Sequence, residues 1–440
     1  MVPPRLLAHV SLTPRTCEPS SQVPYASRVP PLPDIVVVGA LVTMLAVAFR
    51  HPSGRVEALV ALACAVATIS TGLLTGTEAR SALTDLAPVV AFLVTILVVS
   101  DVCARAGVFT AAAQRVGRWS GDRPVRLFAG VYLLAALVTV TLSLDATVVL
   151  LTPVVLAAGV ARAVPDEPGT YACLRMANSA SLLLPVSNLT NLLALPHLHL
   201  GFTAFAVAMA PVLAVVLVVE YAGLRLLFRA DLRRPGRPDV AEQLPLPAFP
   251  VAVVGVMLVG FAVVSPFGLQ PWWVSLVAAL VLWAWSARRG LLATRDVVVA
   301  AQPGFAVWVL ALGIVVAGLG EGFLGRLVAR TVPGDTTFLD LLVIAVVATL
   351  LANLLTNLSA TLLFVPLLAP LGTTAVLAAL LGLNIGSGLT WTGSLANLLW
   401  RRTLGRYEQP PGHLAFHRVS LALTPPSLLA AVAALWLTSR

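Results

Sequence analysis

Asn178-Ser-Ala-Ser-Leu-Leu-Leu-Pro-Val-Ser-Asn-Leu-Thr-Asn191 and Asn384-Ile-Gly-Ser-Gly-Leu-Thr-Trp-Thr-Gly-Ser-Leu-Ala-Asn397 are two versions of one phrase. At a constant offset of 206 positions, Asn178 pairs with Asn384, Ser181 with Ser387 and Asn191 with Asn397, and Leu-Leu follows both. Each phrase lies inside a long apolar tract. Pro185 has no amide hydrogen to give, and Gly386, Gly388 and Gly393 loosen the backbone, so each phrase predicts a broken helix. Backbone groups freed at membrane depth are tolerated only around a cavity or a protein-lined site. There, half-helix N-termini favour anions, while carbonyls and Asn, Ser and Thr side chains can hold a small cation. The competing reading is that these side chains bond helix to helix. Paired clusters at fixed spacing favour a site.

A second pair of related segments frames the first. Leu144-Asp-Ala-Thr-Val-Val-Leu-Leu-Thr-Pro153 places a carboxylate in an apolar tract, and Leu358-Ser-Ala-Thr361, with Pro366 beyond, echoes it 214 residues later. An isolated charge in hydrocarbon costs roughly 2.5 to 3.5 kcal/mol on insertion scales, so it is usually paired, hydrated or used. Asp145 can exchange a proton, ligate a coupling cation, or form a structural pair. Its counterpart Ser359 is neutral, so a site built from both would be asymmetric, with one titratable group.

Composition sets the environment. Of 440 residues, 59% are hydrophobic and 11% charged, against about 25% charged in soluble domains. Mean hydropathy is +0.95. The chain is read as an all-α polytopic membrane protein. Its net charge of +9, carried by 28 arginines and no lysine, belongs to membrane-flanking loops. No basic groove interleaved with aromatics appears, so nucleic acid is not an expected partner. Cys17, Cys64, Cys103 and Cys173 have no metal-ligand spacing, and no metal ligand set is assigned. No Gly-rich phosphate loop with its Lys is present, so no ATP chemistry through such a loop is expected, and no cofactor.

Residues 1–33 read as a flexible extension. Spans of the roughly 20 apolar residues that cross about 30 Å fall near 34–50, 57–76, 83–101 and 203–224, then 248–267, 271–287, 303–320 and 418–437. The stretches 127–160 and 337–375 fit either two crossings or a re-entrant hairpin; 171–195 and 376–400 are interrupted. Arginine-bearing connections at 102–126, 225–247, 288–296 and 401–406 belong in the cytoplasm by the positive-inside bias. They agree with one another only if both long stretches are hairpins. Each half then has five crossings, one re-entrant hairpin and one broken helix, and the odd count inverts the second half. Arg326 and Arg330 are the exceptions. The domain reading is a first repeat at 34–225, a cytoplasmic linker at 226–247 and a second repeat at 248–440. Inverted repeats with broken helices are the build of alternating-access carriers.

Candidate groups for substrate or ion are Ser143, Thr147, Asn178, Ser187, Asn188, Thr190, Asn191, Asn357, Ser359, Thr361, Asn384, Thr390, Thr392, Ser394 and Asn397, with Asp145 for ion coupling. Trp391, inside the second phrase, is a candidate cavity residue. Trp308 and the other tryptophans are expected near span ends or facing lipid. His413 and His417, at i,i+4 spacing, have no third ligand near in sequence.

Leu150-Leu-Thr-Pro-Val154, Ser187-Asn-Leu-Thr-Asn191 and Gly393-Ser-Leu-Ala-Asn-Leu-Leu-Trp400 resemble phrases of the ArsB-type arsenite and antimonite efflux permeases. Those permeases sit in the ion transporter superfamily with SLC13-like divalent-anion/sodium symporters and NhaD-like sodium/proton antiporters. The resemblance runs from about 34 to 437. It implies an elevator-type transporter fold with a scaffold portion, a mobile transport portion and a homodimer. It places hairpin tips at Ser143–Thr147 and Asn357–Thr361, and unwound segments at Pro185–Asn191 and Thr390–Asn397. Asp145, Thr147, Asn188, Asn191, Asn357, Thr361 and Ser394 carry over from the family's motifs. The chain departs from these motifs at Leu144 and Ala146, where the family has Asn and Gly, and at Asn384, where it tends to be acidic. Gly388 and Trp391 replace Lys and Pro.

The expected function is secondary active transport in the inner (plasma) membrane: efflux of arsenite, antimonite or a related small inorganic anion, coupled to the proton gradient or membrane potential. A carboxylate or inorganic-anion carrier and a sodium/proton antiporter are the alternatives. The expected partners are the lipid bilayer, a small solute with H+ or Na+ as coupling ion, and a separate arsenical ATPase subunit. No enzymatic activity is expected.

Overall fold

A computed structural model describes residues 32–50, 54–237 and 244–440. Most of the extension expected at 1–33, and the centre of the linker at 226–247, lie outside the described residues. Leu32 and Pro33 already belong to the first helix.

The described chain is all-α, as a sequence of continuous apolar tracts requires when every backbone group must be satisfied within its own segment. The first half runs α1 (Leu32–Arg50), α2 (Gly54–Ser70), α3 (Gly76–Arg105), α4 (Val108–Ser120) and α5 (Pro124–Thr141). It continues with α6 (Thr152–Ala161), α7 (Glu167–Ser179), α8 (Leu189–Ala194) and α9 (Phe202–Leu227). The second half runs α10 (Ala248–Val264), α11 (Pro271–Arg288), α12 (Thr294–Ala300), α13 (Pro303–Glu321) and α14 (Phe323–Ala329). It ends with α15 (Phe338–Leu355), α16 (Asn357–Leu368), α17 (Thr373–Asn384), α18 (Leu395–Arg406) and α19 (His413–Thr438). Among the described residues, 8 helical segments are long and apolar enough to cross a membrane; the chain is a multi-pass membrane protein.

Two expectations change in the first half. α3 starts at Gly76 rather than near 83, because Thr75 and Glu78 close a capping box: Glu78 N donates to Thr75 Oγ1 at 3.2 Å and Thr75 N to Glu78 Oε2 at 2.7 Å. Its 30 residues make it about 45 Å long, so it must tilt to fit the bilayer. The connection expected at 102–126 is largely helical. α4 buries Phe109, Ala113, Gly117 and Ser120 on one face and leaves Arg115 and Arg118 exposed on the other, an amphipathic pattern suited to the membrane surface.

Both long stretches are helix–turn–helix hairpins. α5 turns through Leu142–Asp145 into a wider π turn, Ala146–Leu151, before α6. α15 and α16 are joined at Thr356 alone, whose φ of +73° makes the reversal. The second tip is therefore centred one residue before the Asn357–Thr361 segment, which forms the first turn of α16. Both interrupted segments are broken helices. α7 stops at Ser179 and α8 begins at Leu189; α17 stops at Asn384 and α18 begins at Leu395.

Each hairpin packs on the broken helix of its own half, α5 on α7 and α15 on α17, whereas α2 packs on α13, α3 on α11 and α9 on α19 across the halves. α17 lies close to α15 because Gly382 and Gly386 face it: a Cβ there would collide with Ala345 O and Thr349 Oγ1. The arginine-bearing ends of α3 and α18 meet the ends of α1, α2 and α12 around one vestibule. At the opposite end, Asp34 Oδ1 accepts from Phe323 N at 2.8 Å, which ties the start of α1 to α14 and its Arg326.

Candidate transport site

The two unwound segments are bonded to each other rather than open. Asn178 Nδ2 donates to Asn397 Oδ1, and Asn384 Nδ2 to Asn191 Oδ1, both at 2.9 Å. Asn191 Nδ2 then donates to the carbonyls of Ser181 (2.7 Å) and Leu184 (3.0 Å). Asn397 Nδ2 donates to those of Ser387 (2.9 Å) and Thr390 (2.8 Å). Adding 206 to every position in the first set gives the second. These amides use their donors to hold the carbonyls that the helix breaks release, which is what a buried backbone demands.

The helices that restart are capped in the same crossed manner. Asn188 accepts from Thr190 N at 3.2 Å and Ser394 from Asn397 N at 3.3 Å, as N-caps of α8 and α18. Asn188 Nδ2 also donates to Asn384 Oδ1 at 2.9 Å, and Ser394 Oγ to Asn178 Oδ1 at 2.9 Å. Thr190 Oγ1 adds a bond to Asn384 Oδ1 at 2.7 Å. All four asparagines of the crossed pairs are buried, and none of them lines the cavity described below.

Two further groups, absent from the sequence expectations, support this clasp. Asn353, on α15, accepts from Thr390 N (3.0 Å) and Thr390 Oγ1 (2.8 Å) and donates to Gly386 O at 3.0 Å. Thr392 Oγ1 donates to its carbonyl at 3.0 Å, so Thr390 and Thr392 are occupied at the back of the second hairpin. Arg175, on α7, forks onto Glu220 of α9, Nε to Oε2 at 3.0 Å and Nη2 to Oε1 at 2.6 Å, with the pair 1% and 0% exposed. Its Nη1 donates to Thr424 of α19 at 2.9 Å, and Ser179 Oγ donates to Glu220 Oε1 at 2.7 Å. The span at 203–224 thus carries a buried acid paired with a base of the broken helix. The rule that singles out Asp145, a charge inside an apolar tract, also finds this pair.

The central cavity, about 70 Å³, lies between the tips and the helices that cross in front of them. Its polar wall consists of Ser143 and Asp145 from the first tip, Thr356 and Asn357 from the second, and Ser187–Thr190 from the first unwound segment. Its apolar wall is made by α1, α3 and α13, with Phe92, Phe305 and Trp308 prominent. Trp308 is buried there rather than facing lipid. Trp391 does not line this cavity; it stacks on Phe416 with ring centroids 3.7 Å apart, beside His413 and His417.

Most lining polar groups already have partners. Ser143 Oγ accepts from Ala146 N at 3.3 Å and Ser187 Oγ donates to Val140 O at 2.7 Å, while Asn357 is tied through its backbone N, which donates to Gly393 O at 2.9 Å, and not through its side chain. Behind the tips, Thr147 and Thr139 share a hydroxyl bond of 2.7 Å, Thr361 Oγ1 donates to Asn357 O at 2.7 Å, and Ser359 meets Thr356 at 3.3 Å. Asp145 is different. Its Oδ1 is buried without a hydrogen-bond partner, and it lines both the cavity and the adjoining vestibule of about 570 Å³. The π turn that follows it is the kind of helix distortion often found at functional sites. No Arg or His lines the central cavity among the described residues.

A polytopic α-helical chain with broken helices and hairpin tips around one central cavity defines a secondary transporter. The comparisons with known proteins place it more closely. A family model described as citrate transporter (CitMHS) matches residues 43–386, and the chain belongs to that family. It is homologous to the arsenical pump membrane protein of Escherichia coli, at 28% identity over 368 residues covering 78% of this chain and 84% of the relative. The arsenical pump membrane protein of Yersinia enterocolitica is equally similar, 28% over 366 residues with the same coverage. Among solved structures, the YdaH transporter of Alcanivorax borkumensis superposes with a TM-score of 0.58 at 16% identity, over 92% of this chain and 98% of that one. The fold is shared with that transporter.

Proposed function

We propose that this protein exports arsenite or antimonite across the plasma membrane, driven by the proton gradient or membrane potential, with Asp145 as the coupling group. The observation that carries this reading is the cavity: hydroxyls, amides and one carboxylate with an unpartnered oxygen, and no cationic side chain in its lining among the described residues. Arsenous acid is undissociated near neutral pH and presents three hydroxyls, each a donor and an acceptor, which such a lining can match. Homology to arsenical pump membrane proteins over most of both chains supports the same reading.

In this reading the halves 34–225 and 248–440 are inverted repeats. The bonds that recur at an offset of 206 support that relation, as does the gathering of Arg105, Arg402 and Arg406 at one end, assigned to the cytoplasm. The helices of the apolar wall form the scaffold. The hairpins, broken helices, α9 and α19 move past it as one body, carrying the tips and Asp145 from one side to the other. The asparagine clasp and the Arg175–Glu220 pair keep that body rigid.

A second reading, a carboxylate carrier, draws on the family model's description as citrate transporter. Energised uptake of arsenite into everted membrane vesicles tests the proposal, with citrate, sulfate and sodium as competitors. Uptake that citrate does not inhibit is expected. Absence of arsenite uptake by well-folded protein, with citrate transported instead, would replace the first reading by the second.

A further inference from the structure

The vestibule that leads to Asp145 carries its own binding chemistry. It is lined by Arg402, Arg406 and Thr403 of α18 and by Arg105 and Asp101 of α3, with Glu57 of α2 also present. These charges are not equivalent. Arg105 is spent on Asp101 at 2.8 Å and reaches Asp296 at 3.9 Å, and Glu57 has a partner of its own. Arg402 and Arg406 have no acidic partner within 4.0 Å among the described residues. Four positions apart on one helix, they project on the same face, and Arg402 is half-buried. A partly desolvated guanidinium without a counter-ion is costly, and two planar forks side by side match an acceptor with several oxygens.

We infer that Arg402 and Arg406 form a binding site for a small oxyanion, carboxylate or inorganic, which a solute meets before it reaches Asp145. The inference rests on the reading of the central cavity as the transport site and adds a selective step outside it. Arg402 and Arg406, which no acidic side chain contacts among the described residues, attract anions locally in a vestibule that Glu57, Asp101 and Asp145 also line. Undissociated arsenous acid does not share that attraction.

The test is anion binding by the purified full-length protein, read from the fluorescence of Trp308, which lines both spaces. Sodium sulfate and sodium citrate are titrated separately at constant ionic strength, with Trp308→Phe identifying the reporter's share of the signal. Saturable binding of at least one anion is expected, weakened tenfold or more in Arg402→Gln/Arg406→Gln and less in Arg402→Lys, which keeps the charge without the fork. Sulfate alone binding assigns the site to inorganic oxyanions, and citrate alone to carboxylates. Binding of neither anion, or equal binding by a double variant with unchanged melting temperature, overturns the site. Arsenite uptake is measured on the same preparations. Its failure with anion binding intact would reject the arsenite reading and leave this site standing.

Discussion

The unwound segments and the first hairpin tip are both polar interruptions in apolar helices, yet they are used in opposite ways. In the unwound segments the amides answer one another: Asn178 with Asn397, Asn384 with Asn191, each also holding freed carbonyls. At the first tip the carboxylate of Asp145 faces the cavity with one oxygen unpartnered. A satisfied buried network fixes a shape, whereas an unsatisfied group at a cavity edge is ready to take a proton or a ligand. Polar residues inside apolar helices are therefore not one class, and it is the presence of a partner that separates them.

Several substitutions would break or sharpen this contrast. The largest loss of stability is expected from splitting the Arg175–Glu220 pair. Glu220→Gln or Arg175→Met should cost about 3 to 5 kcal/mol, because each leaves a buried charge unmatched, and the double variant should recover most of it. Thermal melting of purified protein checks this, and a double variant no better than the singles would contradict it. Next comes the clasp. Asn384 serves Asn188, Thr190 and Asn191 at once, so Asn384→Ala should destabilise by about 1 to 3 kcal/mol. Asn178→Ala should cost less, since only Asn397 and Ser394 bond to its side chain from the opposite segment.

Asp145→Asn should barely move the melting temperature, by less than about 1 kcal/mol in stability, because it removes a charge that has no partner to lose. Uptake should nevertheless vanish. The smallest effect belongs to the second tip. Thr356, a β-branched residue at φ +73°, bears strain that Thr356→Gly should relieve by up to about 1 kcal/mol. A destabilised Thr356→Gly would show that its hydroxyl contact with Ser359 outweighs the strain.

The sequence carried the skeleton well for physical reasons. Proline and glycine inside apolar tracts mark broken helices, and the stretches 127–160 and 337–375 each fold as two helices joined by a turn, α5/α6 and α15/α16, which suits either reading of them. Ser143, Asp145, Ser187, Asn188, Thr190 and Asn357 come together in the cavity wall. Partnership was less legible. Nothing in a one-dimensional phrase tells that Asn384 faces Asn191, 193 positions away, rather than a solute. Arg175 and Glu220 stand out as charges inside apolar tracts but lie 45 positions apart, and only the packing of α7 against α9 shows that they pair. Asn353 lies one turn after Thr349 on the otherwise apolar α15, and that polar pair at helical spacing is the available signal. Trp308 looked like a lipid-facing aromatic because its helix is apolar all round, a pattern that gives no face.

The most direct test of the contrast is arsenite accumulation in everted vesicles, normalised to folded protein, for the wild type, Asp145→Asn and Asn397→Ala. The account predicts uptake near zero per folded molecule for Asp145→Asn. It predicts substantial uptake per folded molecule for Asn397→Ala despite a lower yield. The reverse result, transport surviving the loss of Asp145 but not of Asn397, would move the chemistry from the tip to the unwound segments and contradict the account.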